Sequence, residues 1–236
     1  MTAGFIFDYG GTLDTGGQHW GQVLWHAYER YQVPVTETQF REAYVYAERT
    51  LGRNPIIRPD YTFRQTLETK LRLQLEFLGL EKESYKEAIS DDLYERTKAM
   101  TARSREVLMQ LKEQNLPMAL VSNFYGNMPV VLHEFAFDGL FLKVVESAVV
   151  GIRKPDPRIF LLGVDALGLK PAEVTVVGDS LDKDIIPAHE AGCQTVWLRG
   201  EGWTPVSHNG DCPYCETINA LDEILEMIKT KKRYKK

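Results

Sequence analysis

Cysteine is scarce. The 236-residue chain has three, Cys193, Cys212 and Cys215, which do not make the disulfide framework of a small secreted domain. Cys212 and Cys215 stand in CPYC with His208 four residues earlier, half of a zinc ligand set. No second Cys pair completes the four ligands a closed structural site needs, so a polar surface loop with two thiols is expected. No stretch reaches the roughly 18 apolar residues of a membrane span. The first apolar run, Phe5-Ile6-Phe7, stops at Asp8, too short for the core of a secretory signal; a cytoplasmic protein without membrane contact is expected. There is no basic excess either. Lys and Arg number 28 against 33 Asp and Glu, a net charge of −5, which speaks against a protein that wraps nucleic acid but leaves room for a small phosphorylated ligand in a local positive pocket. Internal repeats and low-complexity segments are absent except for the closing run KTKKRYKK, read as a frayed, solvated end.

What remains is ordinary globular composition, 44% hydrophobic and 26% charged, in a chain long enough for one large domain or a core with a smaller insert. Residues 4–8 read as a buried strand. From about Gln18 to Met100 the rhythm is helical. Trp20, Leu24, Tyr28 and Tyr31 share one face. Thr36 with Gln39 forms a capping box, followed by Phe40, Ala43, Tyr44, Ala47 and Leu51 at helical spacing, with Gly52 expected to stop the helix. Phe63, Leu67, Leu71, Leu75 and Leu78 form the next stripe, ended by Gly79. Ser84 with Glu87 is a second capping box, opening a helix to about Thr97. Beyond Met100 helices alternate with short apolar runs: a helix with Val107, Leu108 and Leu111, then strands at 117–123, near 143–146, at 173–180 and a last one at 194–198. Helices fall between them, around Val130–Phe135, 157–167 and Ala188–Ala191, and at Leu221–Ile228. Alternation of this kind predicts an α/β fold, a doubly wound parallel sheet with helices on both faces. The expected organisation is a core domain of residues 1–16 and 101–236, with 17–100 inserted as an α-helical cap joined by short connections at Gly16-Gly17 and Met100-Thr101.

In such sheets ligands bind at the carboxyl ends of strands, where Asp8, Ser122 and Asp179 fall. Each has an ordinary explanation alone: a turn former, a helix cap, a polar turn, and for Lys154 a solvated loop lysine. Their order and spacing together describe one site. A carboxylate attacks phosphorus only when the phosphoryl charge is neutralised. Lys154 and the Ser122 hydroxyl supply part of that neutralisation, and a divalent cation held by Asp8, Asp179 and nearby oxygens supplies the rest. Magnesium suits an all-oxygen site. Lys154 is expected to keep Asp8 and Asp179 from repelling one another.

These residues resemble the motifs of the haloacid dehalogenase superfamily, mostly magnesium-dependent phosphatases: DYGGTLD at Asp8, Gly11 and Thr12, then Ser122, then Lys154, then GDSLDKD at Asp179 and Asp184, over about 1–15 and 101–200. The resemblance implies that Asp8 is the nucleophile and, with Ser122 and Lys154, the catalytic set. It implies that Asp8, the Gly10 carbonyl and Asp179 bind Mg2+, with Asp184 assisting through water or Lys154, and that Gly11, Thr12 and Asn123 meet a small phosphorylated substrate. Gly10 departs from the pattern, because phosphatases of this family carry there the aspartate that protonates the leaving group. Relatives lacking that acid include haloacid dehalogenases, which need no magnesium, and phosphonoacetaldehyde hydrolase, which uses a cap lysine as a Schiff base. Lys70, Lys82, Lys86 and Lys98 lie in the cap region, and nothing in the sequence marks one of them as buried. Asp14 or His19 are substitute acids, and Arg49, Arg53, Arg58 and Arg64 are candidates to grip a second anionic group. The rival from another class is a binding or regulatory protein that keeps the metal and phosphate pocket without efficient turnover.

Overall fold

Every residue of β1 (Gly4–Phe7), β2 (Met118–Ser122) and β4 (Val174–Gly178) is buried, as in parallel strands covered on both faces. A computed structural model describes residues 2–80, 83–203 and 212–233; Lys82, His208 and the end of the basic run lie outside them. β3 (Lys143–Glu146), β5 (Gln194–Leu198) and β6 (Glu216–Ile218) complete a six-stranded sheet of order β3-β2-β1-β4-β5-β6, parallel at every pairing. The chain builds outward from β1 on one side, then returns to β4 on the other. The carboxyl ends of β1, β2 and β4 therefore meet at the change in strand order, where a crevice forms.

Alternate side chains feed two cores. Phe5 and Phe7 pack with Leu108, Leu111 and Ile224 on one face; Ile6, Val121 and Val176 pack with Ile159, Phe160 and Val164 on the other. The helices are α1 (Trp20–Arg30), α2 (Glu37–Arg53), α3 (Phe63–Phe77), α4 (Glu83–Glu113), α5 (Met128–Glu134), α6 (Ser147–Val150), α7 (Arg158–Leu167), α8 (Ile186–Glu190) and α9 (Glu223–Arg233). Among the described residues, 17–100 hold helices and no strand.

The Thr36–Gln39 capping box is present, and so are the buried stripes of α2 and α3. Five expectations need correction. Gly52 does not stop α2: the helix runs to Arg53 and ends at Asn54, whose side-chain amide donates to the Thr50 carbonyl. The helix expected from Ser84 to about Thr97 and the one carrying Val107, Leu108 and Leu111 are a single helix of 31 residues, begun at Glu83. Met100-Thr101 lies inside it and is no loop connection. The strand at 194–198 is not the last, since β6 adds to the sheet edge beside it. Cys212 and Cys215, expected as thiols, are joined as a disulfide.

Candidate active site

Asp8 directly follows β1, and its backbone N–H still bonds the Val177 carbonyl of β4 at 3.0 Å, which fixes the carboxylate between the two strands. Lys154 donates to Asp8 Oδ1 at 2.5 Å and to Asp184 Oδ1 at 2.6 Å. The lysine expected to separate Asp8 from Asp179 instead bridges Asp8 and Asp184. The Thr12 hydroxyl lies 3.2 Å from Asp8 Oδ2 and 3.1 Å from Asp179 Oδ1, so it couples the first loop to the loop after β4. All three carboxylates offer an oxygen within 4.8 Å of one another.

Burial dominates the electrostatics. It raises the Asp8 carboxyl to about 6, against the pull of Lys154. Asp179 is raised well above the usual carboxylate range, by burial first and then by Asp184 and Asp8. Burial pushes Lys154 down, but Asp184 and Asp8 outweigh it, and the ammonium holds its proton. Three crowded carboxylates facing one ammonium leave an excess of negative charge, and all the donors are oxygens. Both properties fit a hard divalent cation. Gly11 makes the closeness possible. It sits at φ +102°, and a Cβ there would lie 2.4 Å from Asp179 Oδ1, so the backbone reaches the carboxylate only because the residue has no side chain.

Asp8, Lys154, Asp179 and Asp184 line one cavity of about 130 Å³, together with Gly10, Ser122 and Asn123; Gly11 and Thr12, expected to meet substrate, are not part of its lining. Ser122 and Lys154 are almost fully buried. Asn123 acts through Lys154: its side-chain nitrogen donates to the Lys154 carbonyl at 3.1 Å and its oxygen accepts from the Lys154 N–H at 3.0 Å.

Gly10 faces Trp20. A Cβ at position 10 would stand 3.8 Å from Trp20 Cδ1, an ordinary contact, and the residue is outside the left-handed region. Of the two substitute acids, Asp14 is buried away from the cavity lining. Its oxygens accept from the Gly11 N–H at 2.7 Å and from Trp20 Nε1 at 2.8 Å, so it organises the loop. His19 does line the cavity. Its Nδ1 accepts the Gly21 N–H at 3.0 Å, capping α1, and burial lowers the ring to about 4. The neutral imidazole then carries its proton on Nε2.

The helical segment contributes groups that sequence reasoning missed. Glu48 of α2 and Lys70 of α3 pair at 2.7 Å inside the cavity. Tyr125, in the loop after β2, donates to the other Glu48 oxygen at 3.0 Å. Buried Glu146, at the end of β3, accepts backbone N–H groups of Gly126 and Met128 and so shapes that loop. No local pattern announces a pair made between two helices. None of Arg49, Arg53, Arg58 and Arg64 lines the cavity. Arg58 pairs with Asp60, Arg64 with Glu68 and Asp91, and Arg49 and Arg53 border an outer groove beside Tyr46 and Phe77.

A model of the haloacid dehalogenase-like hydrolases matches residues 2–192. Glyceraldehyde 3-phosphate phosphatase of Methanopyrus kandleri is 34% identical over 125 residues, 52% of this chain and 53% of that one. Phosphoserine phosphatase of Thermus thermophilus is 28% identical over 187 residues, 76% of this chain and 67% of that one. The chain spans about half the length of the glyceraldehyde 3-phosphate phosphatases it matches. Among solved structures, a dehalogenase in an intermediate complex superposes with TM-score 0.64 at 21% identity, over 96% of both chains. A HAD phosphatase from Thermococcus onnurineus does so with TM-score 0.54 at 20% identity, over 97% of this chain and 98% of that one; both likenesses concern the fold. Among the described residues no helix is long and apolar enough to cross a membrane. With the family model covering most of its length, the chain belongs to the haloacid dehalogenase-like hydrolases.

Proposed function

We propose that the protein is a magnesium-dependent phosphatase of small phosphate monoesters, working through an aspartyl-phosphate at Asp8. The observation that carries this reading is the position of Asp8, buried at the floor of the cavity with Lys154 on one oxygen and Thr12 on the other. Asp8, Asp179 and the Gly10 carbonyl would hold the metal, with Asp184 supporting the set through Lys154. When bound, Mg2+ supplies positive charge against the phosphoryl oxygens. Lys154 and the Ser122 hydroxyl neutralise the same group from the protein side. The Asp8 carboxylate attacks phosphorus, the bond to the leaving oxygen breaks, and water then cleaves the acyl phosphate to restore Asp8. The relatives named as phosphatases of glyceraldehyde 3-phosphate and phosphoserine favour a small phosphorylated substrate.

In this reading 17–100 is the cap over a core of 1–16 and 101–236, and it contributes His19, Trp20, Glu48 and Lys70 to the cavity. A Schiff-base mechanism is disfavoured. Lys70 reaches the cavity, but its pairing with Glu48 outweighs burial and raises the ammonium well above its ordinary range, so it is a poor amine nucleophile. Two acids beyond Asp8 in the cluster likewise speak against metal-free dehalogenation.

The test is a phosphate-ester screen with Mg2+, run beside Asp8→Asn and Asp179→Ala. Hydrolysis abolished by Asp8→Asn, and magnesium binding lost to calorimetry in Asp179→Ala, are the expected results. Undiminished hydrolysis in the first variant would refute the nucleophile; undiminished binding in the second would refute the metal site.

A further inference from the structure

The Glu48–Lys70 pair has no part in the phosphoryl chemistry just described, yet it lies inside the same cavity. Lys70 is 12% exposed in its side chain and Glu48 29%, on a wall completed by Trp20, Phe63, Leu67 and Phe124. Both Glu48 oxygens are engaged, one 2.7 Å from Lys70 Nζ and the other by the Tyr125 hydroxyl at 3.0 Å. An ammonium has three N–H donors, and the engagement with Glu48 and Tyr125 still leaves Lys70 one for the cavity. Outside the cluster around Asp8, the other charged lining groups are the exposed Arg153 and Lys183. His19, with its acceptor nitrogen tied to Gly21, has only an N–H to offer. Three cations thus stand against a single carboxylate, whose charge is already paired with that of Lys70. Donors outnumber free acceptors.

From this we infer that the Lys70 wall is a subsite selecting phosphate esters whose leaving group carries a carboxylate; the inference rests on the phosphatase reading of the same cavity. A carboxylate supplies the acceptors and the negative charge the wall lacks. A leaving group ending in a methyl group leaves a largely buried ammonium donor unpaired on closure, which is costly, and one ending in an ammonium adds repulsion. The small cavity and the flat rings of Trp20, Phe63 and Phe124 suit a short carbon chain between phosphate and carboxylate. Glu48 has a definite role here: it tethers Lys70 and tempers its charge.

The experiment measures equilibrium binding of phosphoglycolate, ethyl phosphate and phosphoethanolamine to Asp8→Asn protein with Mg2+, by calorimetry, and kcat/KM of the three on the wild type. Phosphoglycolate is expected to bind at least tenfold more tightly than ethyl phosphate, with phosphoethanolamine weakest, and kcat/KM should follow the same order. Lys70→Met in the Asp8→Asn background should bring the phosphoglycolate to ethyl phosphate ratio to within about twofold of one. Glu48→Gln, which frees Lys70, should widen it, an effect a merely structural pair would not have. Since Lys70→Met alone leaves the half-buried Glu48 carboxylate unpaired, the double variant Glu48→Gln/Lys70→Met provides a second loss of preference without a stranded charge. Equal binding of phosphoglycolate and ethyl phosphate, or a preference that survives both Lys70 variants, overturns the inference. Turnover without preference removes the subsite and leaves the phosphatase reading intact. Preferential binding without turnover of any ester does the reverse, and binding of none of the three removes both.

Discussion

Replacing Gly10 with aspartate tests what moves protons in this site. The backbone tolerates the change, since Gly10 is outside the left-handed region and its new Cβ would meet Trp20 Cδ1 at 3.8 Å and Nε1 at 4.0 Å. The Trp20 N–H is already committed to Asp14 at 2.8 Å, so the new carboxylate is not captured by it. Melting temperature should therefore change by only a few degrees, the range of about 1 kcal/mol in a domain of this size. General acid–base catalysis is typically worth about 10² to 10⁴ in rate. Here the new carboxylate shares its surroundings with Asp8 and Asp179, both already raised by burial and by neighbouring carboxylates, and part of the gain is lost to repulsion. The expected increase for unactivated alkyl phosphates is about tenfold to a thousandfold, or about 1.4 to 4 kcal/mol of barrier. For p-nitrophenyl phosphate, whose leaving group departs without a proton, the change should be much smaller. The assay is kcat on both substrate types for wild type and Gly10→Asp, with folding checked by thermal melts. A well-folded variant showing no selective gain on alkyl phosphates would refute the reasoning and assign proton transfer to another lining group, His19 first.

Two further substitutions probe the loop after β1. Gly11→Ala must place a methyl group against Asp179 in a left-handed conformation; a loss of about 2 to 4 kcal/mol with weakened magnesium binding is expected by denaturant titration and calorimetry, and an unchanged midpoint would contradict it. Burial raises the Asp14 carboxyl to about 7, although the Gly11 and Trp20 N–H groups pull it down. The folded state thus holds this proton longer than the unfolded chain, and the contribution of Asp14 to stability falls as pH rises from about 4 to about 7. The stability of wild type relative to Asp14→Asn should shrink over that window, by at most about 4 kcal/mol, and stay flat above it. A difference that is constant or grows with pH would reverse the sign of the argument.

The legible parts of the molecule share one physical property: their pattern is local. Strands buried on both faces announce themselves as continuous apolar runs, as at Phe5-Ile6-Phe7 and Met118–Val121. A carboxylate or hydroxyl closing such a run marks the site, as Asp8, Ser122 and Asp179 do. β6 has two exposed residues of three and leaves no comparable trace. α4 reads as two helices in the sequence because its buried side changes company along its length. Ile89 and Leu93 pack in the helical segment, Val107, Leu108 and Leu111 pack in the core, and the stretch between buries Thr97, Thr101 and Ser104, polar residues that interrupt an apolar stripe. Gly52 has the look of a helix stop, yet a Cβ there would meet nothing within 4 Å; it occupies an open face of α2 while Asn54 performs the capping. The partnership of Glu48 and Lys70 was invisible because it exists only once α2 and α3 are packed together.

The uninterrupted course of α4 bears on how relatives of this protein can be recombined. A graft that exchanges the helical segment at Met100-Thr101 cuts through hydrogen-bonded turns, among them the Thr101 hydroxyl to the Thr97 carbonyl at 2.9 Å. It also severs the helix just before Ser104, whose hydroxyl holds the Leu13 carbonyl of the first loop at 2.8 Å. The transferable unit is therefore larger than the insert: it extends through Glu113 and carries with it the anchor of the loop that bears Asp8. Chimaeras joined at Asn115, which follows the helix in a left-handed turn, keep that anchor in register, so the Glu48–Lys70 wall is inherited together with the strut that sets the Asp8 loop.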